Sequence, residues 1–256
     1  MAKYSLWLRI RNHQLIFKKN TRVEDESSRD LEEMKEVLFD TSNLDFNCTL
    51  YHMYRGVYRP EDEKNFQNIR HDLTLITPGT LNQEFIKTYG HYHPKAKGLS
   101  FPEIYQVVQG KALFLLQDEK AEKVFFVFAQ SPEIVIIPPN FGHITVNISE
   151  KDLVLANLVD RHFNSLYEPI TEKKGGAFYI LENNPIKWVP NSRYKNLPQP
   201  ILVRPNPVFE EEFIYDLCRK NPARLQWLNE PHQFNYQLSE LFISKSLAEI
   251  KQELKL

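Results

Sequence analysis

Cysteine is scarce in this chain of 256 residues, and its two copies are Cys48 and Cys218. Two cysteines cannot build a disulfide framework, so we expect two thiols in a reducing compartment, which predicts a cytoplasmic protein. The first residues mix charged with apolar side chains too early for a signal peptide. No apolar run approaches the roughly 20 residues that a membrane-spanning helix needs, so we expect no membrane partner.

An excess of charge of one sign is also missing. The chain has 32 lysines and arginines against 33 aspartates and glutamates, which gives a formal net charge of −1 at pH 7. Without a general positive field we expect no nucleic acid partner, and an anionic ligand has to be held by local groups. The remaining composition, with 42% hydrophobic and 25% charged residues, is that of a globular protein.

Glycine is absent from both ends of the chain, because all eight glycines lie between Gly56 and Gly176. Glycine supplies the positive φ angles of tight turns between strands, so this interval predicts β structure. Seven short runs rich in Val, Ile, Phe and Tyr fall in it, which is typical of a sandwich or barrel rather than of alternating strands and helices. These runs cover residues 73–76, 104–108, 112–116, 124–128, 134–137, 144–148 and 153–159.

The flanks that lack glycine have helical periodicity instead. Apolar residues three and four apart predict an amphipathic helix over residues 25–39, and the same periodicity returns over 209–219 and 237–254. In the last stretch, four residues form a predicted apolar stripe: Ile243, Leu247, Ile250 and Leu254. We therefore expect helical additions at both ends of the β region.

Proline marks the boundary between the β region and the C-terminal flank. Six prolines occur between Pro185 and Pro207, which predicts an extended segment with few regular hydrogen bonds. We divide the chain there into a barrel domain with its N-terminal extension, residues 1–200, and a helical C-terminal extension, residues 201–256. The extension is expected to pack on the barrel or on a neighbouring subunit.

Three of the eight histidines stand in a pattern that suits a metal ion. His91 and His93 are two residues apart, so on an extended strand both imidazoles project from one face. Glu103 opens a later strand, and a carboxylate among apolar neighbours is costly to bury unless a cation or hydrogen bonds compensate it. His143 follows a proline-rich turn forty residues further on. Three imidazoles and one carboxylate are typical of Fe, Mn, Zn, Ni or Co sites rather than of Ca or Mg sites.

A His-x-His pair on its own also occurs by chance on exposed strands, so its surroundings decide the interpretation. Gly90, Gly110 and Asn147 stand at the positions relative to these four residues that the two half-motifs of cupins require. The other histidines have no partner at ligand spacing and are expected to be surface or hydrogen-bonded side chains. They are His13, His52, His71, His162 and His232.

Segments 88–93, 102–105 and 138–147, with the GHYH and PEIY motifs in the first two, resemble the cupin-type glucose-6-phosphate isomerases. The resemblance spans roughly residues 70–190. It implies a mainly β fold, a cupin double-stranded β-helix or jelly-roll barrel. It also implies the interconversion of glucose 6-phosphate and fructose 6-phosphate, and a homodimer.

The resemblance also implies roles for individual residues. His91, His93, Glu103 and His143 would hold one divalent metal ion, Fe, Mn, Ni or Zn, and Glu103 would be the catalytic residue. The sugar phosphate would be bound by four further residues: Thr74, Thr88, Gly90 and Tyr105.

Some alternatives stay open at this stage. Proton transfer by Glu103 and a metal-assisted hydride shift both fit the pattern. His162 and Tyr167 are both candidates for a second polar group in the reaction. Thr88 lies on the face opposite His91 under strict alternation, and a bulge at Gly90 is predicted to resolve this conflict. Another metal-dependent cupin enzyme, an epimerase or oxygenase, and a non-catalytic sugar-binding cupin are the competing hypotheses.

Overall fold

The computed structural model describes residues 8–183, 186–208 and 213–256 of the chain. The described strands are, in chain order, β1 (Leu8–Arg11), β2 (Gln14–Phe17), β3 (Asp25–Asp30), β4 (Thr49–Arg55), β5 (Ile69–Ile76), β6 (Thr80–Leu81), β7 (Glu84–Phe85), β8 (Lys95–Ala96), β9 (Leu99–Ser100), β10 (Glu103–Gln109), β11 (Lys111–Asp118), β12 (Val124–Gln130), β13 (Ile134–Ile137), β14 (Phe141–Asn147), β15 (Leu153–Asp160), β16 (Phe178–Leu181), β17 (Lys187–Pro190), β18 (Ile201–Pro205) and β19 (Phe242–Ser244). The described α-helices are α1 (Leu31–Met34), α2 (Glu168–Glu172), α3 (Ile214–Lys220), α4 (Leu238–Leu241) and α5 (Leu247–Leu254). The described 3-10 segments are Lys35–Val37, Pro60–Phe66, Pro222–Leu228 and Pro231–Gln233.

Two large sheets enclose the interior. One has six strands in the order β13-β10-β15-β5-β4-β3, and the other has five in the order β14-β11-β12-β18-β19. Side chains from the two sheets meet between them, since the ring of Tyr105 on β10 lies 5.4 Å from the ring of Phe114 on β11. The predicted fold class, a mainly β jelly roll with helical additions, is confirmed.

The central strands of the six-stranded sheet are buried on both faces. A sheet with one face exposed to solvent would instead have buried and exposed residues in alternation. All eight residues of β15 are buried, as are six of the seven in β10. The C-terminal extension covers the outer face, where the backbone N–H of Ile214 donates to Gln106 Oε1 at 3.3 Å. The ring of Tyr215 stacks on Phe66 with centroids 4.9 Å apart. The extension therefore packs on the barrel of its own chain.

The helix predicted over residues 25–39 is wrong in its first half. Residues Asp25–Asp30 form β3, which pairs antiparallel with β4 at the edge of the six-stranded sheet. They are all polar, so they suit an exposed sheet edge and offer no apolar face for a helix to bury. The helix starts only after Asp30, where Asp30 and Glu33 form a capping box.

The C-terminal helices are also shorter than the periodicity predicts. Residues 209–212 of the first lie outside the described residues, and α3 covers Ile214–Lys220. The second is interrupted by β19, which pairs with β18 and leaves Ile243 of the predicted stripe 43% exposed. Ser246 then caps α5 by accepting a hydrogen bond from the backbone N–H of Glu249.

The C-terminal extension contributes a strand to the barrel. β18, which opens at Ile201, pairs in parallel with β12 and continues the five-stranded sheet. The division of the chain at residue 200 stays a prediction. None of the helices in the described parts of the chain has the length and apolar character needed to cross a membrane.

The bulge predicted at Gly90 is confirmed. Lys87 pairs with Val146, and His91 pairs with His143. The chain therefore advances four residues from Lys87 to His91 but only three residues on the opposite segment, from Val146 to His143. Gly90 has φ +86°, and a Cβ there would lie 2.3 Å from Ile144 Cγ1. Only glycine fits this conformation and this space, and the extra residue turns His91 towards the interior.

Candidate metal centre

A cavity opens between the two sheets at one end of the barrel. Its floor and walls come mainly from β4, β5, β10 and β15, with His91 and His93 supplied by the segment that bridges β14. The other described lining residues are Met53, Arg55, Arg70, Asp72, Thr74, Glu103, Tyr105, Asn157, Val159, Phe163, Ser165 and Tyr167. A charged and polar interior in an otherwise apolar barrel predicts a binding site.

The four predicted metal ligands converge at the wall of this cavity, whose lining includes His91, His93 and Glu103. His91, His93, Glu103 and His143 each offer one donor atom, and these atoms all lie within 4.8 Å of one another. The Nε2 atoms of His91 and His93 are 3.1 Å apart. Oε2 of Glu103 lies 3.4 Å from His93 Nε2 and 3.3 Å from His143 Nε2. Three imidazole nitrogens and one carboxylate oxygen therefore face a common point.

Each ligand is held in place by the strand or turn that carries it. Glu103 is the first residue of β10, and His143 lies within β14. The loop between His93 and Glu103 contains the hairpin of β8 and β9, whose turn residues Lys97 and Gly98 have φ +53° and +88°. Consecutive positive φ angles are those of a tight type I′ turn, which fixes the path of the loop between His93 and Glu103.

Hydrogen bonds behind the ligands orient their donor atoms. Nδ1 of His93 lies 2.8 Å from the backbone carbonyl of Phe101, which can only accept, so Nδ1 carries the proton and Nε2 is left with its lone pair. Nδ2 of Asn157 donates to Glu103 Oε1 at 2.6 Å. Oε2 of Glu103 is buried without a hydrogen-bond partner in the described residues. A buried carboxylate oxygen without a partner is costly, and a cation would compensate it.

The protonation of these groups suits a cation. Burial lowers the pKa of His143 to about 4. Burial also lowers the pKa of His91 well below its ordinary value, assisted by the charges of His143, His93, Arg55 and Arg70. Burial is the largest single effect and raises the pKa of Glu103, but the polar groups of His93, His143 and Tyr105 around the carboxylate together outweigh it, so this pKa ends below its usual value. Neutral His91 and His143 beside an ionised Glu103 are donors that fit a divalent transition metal.

Two further cavity residues were singled out from the sequence. Thr74 and Tyr105 both line the cavity, and the Tyr105 hydroxyl lies 3.1 Å from His143 Nε2. Burial raises the pKa of Tyr105 well above its ordinary value, so it stays a hydroxyl. Thr88 and Gly90 are not among the described residues that line the cavity, and the Thr88 hydroxyl accepts a hydrogen bond from the backbone N–H of Thr145. Their roles in binding substrate stay predictions.

The two candidates for a second polar group in the reaction, His162 and Tyr167, lie in different surroundings. The ring of Tyr167 lines the cavity and lies 5.6 Å from the ring of His91. The His162 side chain is 63% exposed, with Nδ1 3.6 Å from Asp160 Oδ1. Phe163, the residue after His162, lines the cavity and packs its ring 4.7 Å from that of His93. Tyr167 is therefore the candidate that reaches the site.

One wall of the cavity carries charges that sequence reasoning missed or left aside. The sequence analysis assigned no role in the site to Arg55 on β4, to Arg70 and Asp72 on β5, or to Asn157 on β15. The register pairs Asp72 with Asn157 and Asn157 with Tyr105 across three strands. The signal was present in β5, where polar residues 70, 72 and 74 alternate with His71 and two leucines.

A jelly roll whose interior gathers three histidines and a glutamate defines the class of protein, a cupin with a candidate metal centre. The model of the glucose-6-phosphate isomerase family matches residues 28–197. The chain belongs to the glucose-6-phosphate isomerase family.

Individual relatives agree with the family match. Glucose-6-phosphate isomerase of Pyrococcus furiosus is 30% identical over 139 residues, which are 54% of this chain and 71% of that protein. The protein of the same name from Sinorhizobium medicae is 25% identical over 162 residues, 62% of this chain and 72% of that one. The predicted family and the predicted enzyme class, an aldose–ketose isomerase, are confirmed by these matches.

Among solved structures, oxalate decarboxylase of Bacillus subtilis matches 46% of this chain and 27% of that one. The two are 20% identical, and the TM-score is 0.36.

Proposed function

We propose that this protein is a metal-dependent isomerase that interconverts glucose 6-phosphate and fructose 6-phosphate, a step of glycolysis and gluconeogenesis. The observation that carries the proposal is the convergence of the donor atoms of His91, His93, Glu103 and His143 within 4.8 Å of one another, in a chain of this family. These four residues would hold one divalent ion of Fe, Mn, Ni or Zn. When bound, such an ion polarises the C1 and C2 oxygens of an open-chain sugar and stabilises the negative charge that develops there.

The residues of the chain have separate tasks in this proposal. Glu103 moves the proton between C1 and C2 at Oε1, the oxygen that Asn157 holds by a hydrogen bond. Tyr105 keeps its hydroxyl proton and donates to a substrate oxygen. Thr74, Thr88 and the backbone of Gly90 complete the substrate site.

The proposal is tested by an assay for fructose 6-phosphate in which the protein is stripped with a chelator and reloaded with Fe, Mn, Ni or Zn. We expect no turnover without metal and turnover with at least one metal, under anaerobic conditions as well as in air. An absence of isomerisation at every metal loading contradicts the proposal. Oxygen consumption would then indicate an oxygenase. A different sugar phosphate as product would indicate an epimerase, and sugar binding without any reaction would indicate a sugar-binding cupin.

The route of the hydrogen is tested by the same reaction in deuterated water. Deuterium at C1 or C2 of the product supports proton transfer through Glu103, and its absence supports a hydride shift. In either case we expect the substitution Glu103→Gln to lower kcat far more than it raises KM, because Glu103 contributes to the reaction step rather than to phosphate binding.

A cytoplasmic location and a homodimer are also proposed. The reducing compartment is supported by the two free cysteines, of which Cys218 is buried and Cys48 is exposed. Light scattering after gel filtration tests the homodimer, with a mass near twice 30.3 kDa expected.

A further inference from the structure

The side chain of Tyr167 lines the cavity although neither of the two large sheets carries it. Tyr167 directly precedes α2 (Glu168–Glu172), and its backbone carbonyl accepts hydrogen bonds from the N–H groups of Ile170 and Thr171. An isolated helix as short as α2 is not stable in water. The place of Tyr167 in the cavity wall therefore depends on contacts from outside α2.

One such contact comes from Arg29 on the edge strand β3. Arg29 pairs with Tyr51 of β4, and directly paired residues project on the same face of a sheet. Met53, two residues after Tyr51, lines the cavity, so Arg29 also projects on the inner face. Arg29 itself is not among the described residues that line the cavity. It therefore lies on the inner face of the sheet, beyond the edge of the cavity.

The guanidinium of Arg29 lies over two aromatic rings at once. Its Cζ atom is 5.5 Å from the ring centroid of Tyr89 and 5.6 Å from that of Tyr167. The two rings meet edge to face, with their centroids 5.7 Å apart. A cation within about 6 Å of a ring centroid is attracted by the π electrons, and the attraction is stronger where water is partly excluded. Arg29 therefore holds the Tyr167 ring against the buried Tyr89 ring.

Other groups fix both sides of this contact. Nη1 of Arg29 donates to Glu33 Oε1 at 2.8 Å. The Tyr89 hydroxyl donates to Glu36 Oε1, and its oxygen lies 2.8 Å from the Thr171 hydroxyl of α2. The contact therefore joins α2, and with it the Tyr167 ring, to the edge of the six-stranded sheet.

The Tyr167 ring in turn lies beside the candidate metal centre. Its centroid is 5.6 Å from the ring centroid of His91. A displacement of about 1 Å in the group that orients a substrate can lower a reaction rate by a large factor, even when the change that causes it is remote. A movement of Tyr167 away from Tyr89 would widen the cavity on the side of His91.

We propose that Arg29 is a positioning residue of the candidate active site, which holds the Tyr167 ring in the cavity wall by its simultaneous contact with the rings of Tyr89 and Tyr167. Arg29 acts through Tyr167 and does not touch the ligand in the cavity. The inference rests on the proposed function only for its kinetic test.

Steady-state kinetics of the metal-loaded enzyme test this role with the variants Arg29→Met and Arg29→Lys. Methionine removes the charge and keeps an unbranched side chain, and Glu33, which is 47% exposed, stays solvated without its partner. We expect Arg29→Met to raise KM for glucose 6-phosphate about fivefold and to change kcat much less, which matches the strength of one partly buried cation–π contact. Arg29→Lys should recover part of the loss, because an ammonium group also binds to ring faces.

A double-mutant cycle shows whether Arg29 acts through Tyr167. Tyr167→Leu removes the ring, and we expect the addition of Arg29→Met to this variant to change KM no further. If the two increases in KM multiply instead, Arg29 acts independently of Tyr167 and the proposal is overturned. An unchanged KM in Arg29→Met also overturns it.

Arg219→Met is the matched control. Arg219 also pairs with a carboxylate close in the chain, that of Asp216 at 3.2 Å, and its side chain is 39% exposed. It is not among the described residues that line the cavity. Its KM should equal that of the unchanged enzyme, and a rise as large as that in Arg29→Met would contradict a specific role of Arg29.

Hydrogen exchange separates this inference from the proposed function, because it needs no turnover. The backbone N–H groups of Ile170 and Thr171 bond to the Tyr167 carbonyl, so their exchange reports how firmly Tyr167 and α2 are held. We expect both to exchange faster in Arg29→Met than in the unchanged protein, and at the unchanged rate in Arg219→Met. Faster exchange without any isomerisation supports the positioning role although the isomerase proposal fails. Unchanged exchange in Arg29→Met overturns the positioning role.

Discussion

The two faces of strand β5 have different properties. On the inner face Arg70, Asp72 and Thr74 line the cavity. On the outer face His71 is completely buried, Nδ1 donates to the Val57 carbonyl at 2.6 Å, and the ring packs 5.1 Å from that of Tyr215. The polar side chain of the outer face, His71, has its hydrogen-bond partner within the protein, whereas the polar side chains of the inner face are open to a ligand in the cavity. We infer that changes on the inner face alter binding and catalysis, and that changes on the outer face alter stability.

The largest expected effect comes from removing a metal ligand on the inner side. His91→Ala and His143→Ala should each abolish metal binding. Each should also lower kcat/KM by more than the roughly 10–100-fold that is typical when a residue hydrogen-bonded to a metal ligand is changed. Metal analysis and the isomerase assay measure both. Circular dichroism should stay that of the unchanged protein, because the sheets do not depend on these side chains.

His162→Ala is the control for the metal-ligand variants, since His162 is 63% exposed. It should retain full metal content and full activity. Full activity in His91→Ala or His143→Ala would reject the metal centre.

A smaller effect is expected from Asn157, which contacts a ligand without contacting the proposed ion. Asn157→Leu removes the hydrogen bond to Glu103 Oε1, so the carboxylate loses its fixed orientation. We expect the dissociation constant of the bound metal to rise about tenfold, measured by competition with a chelator. Asn157→Asp should weaken metal binding as well, because it also lacks the donor. Unchanged affinity in both variants would show that Asn157 does not position Glu103.

The last effect belongs to the outer face and concerns stability rather than binding, as a pH dependence of the unfolding free energy. Burial lowers the pKa of His71 to about 4 from an ordinary value of 6.5. As the pH falls below 6.5 the unfolded chain takes up the proton first, so stability is lost between about pH 6.5 and pH 4. Lowering the pH from about 7.5 to about 5 should reduce the unfolding free energy of the unchanged protein. In His71→Gln this reduction should be smaller by about 2 kcal/mol.

Urea unfolding at the two pH values measures this difference. His232→Gln, which changes a histidine that is 49% exposed, is the control and should follow the unchanged protein. An identical pH dependence in His71→Gln and the unchanged protein would contradict the assignment of His71 to the buried outer face.

The convergence of the four candidate metal ligands could be predicted from the sequence because His91 and His93 share a face by spacing and because the motifs around all four residues resemble those of a known family. His91 and His93 are close in the chain, and Glu103 and His143 follow turns that proline and glycine mark. The bulge at Gly90 could be predicted for the same reason, since alternation alone would have pointed Thr88 away from His91. Each of these inferences needs only the path of one or two segments.

The charged wall could not be predicted in the same way because it depends on which strands pair and in which register. Arg55 reaches the cavity only because β4 pairs with β5, and Asn157 reaches Glu103 only because β15 lies between β5 and β10. The helix predicted over 25–39 is wrong for a related reason. The apolar spacing that suggested it is confined to the residues after Asp30, while those before it are held as a strand by pairing with β4.

The central claim is that four side chains distant in sequence hold one metal ion between the two sheets. Anomalous diffraction from crystals of the metal-loaded protein tests it most directly. We predict one peak per chain, about 2.0–2.2 Å from the Nε2 atoms of His91, His93 and His143 and from Glu103 Oε2. An active crystal form with no peak at this point, or with its peak elsewhere, would contradict the claim.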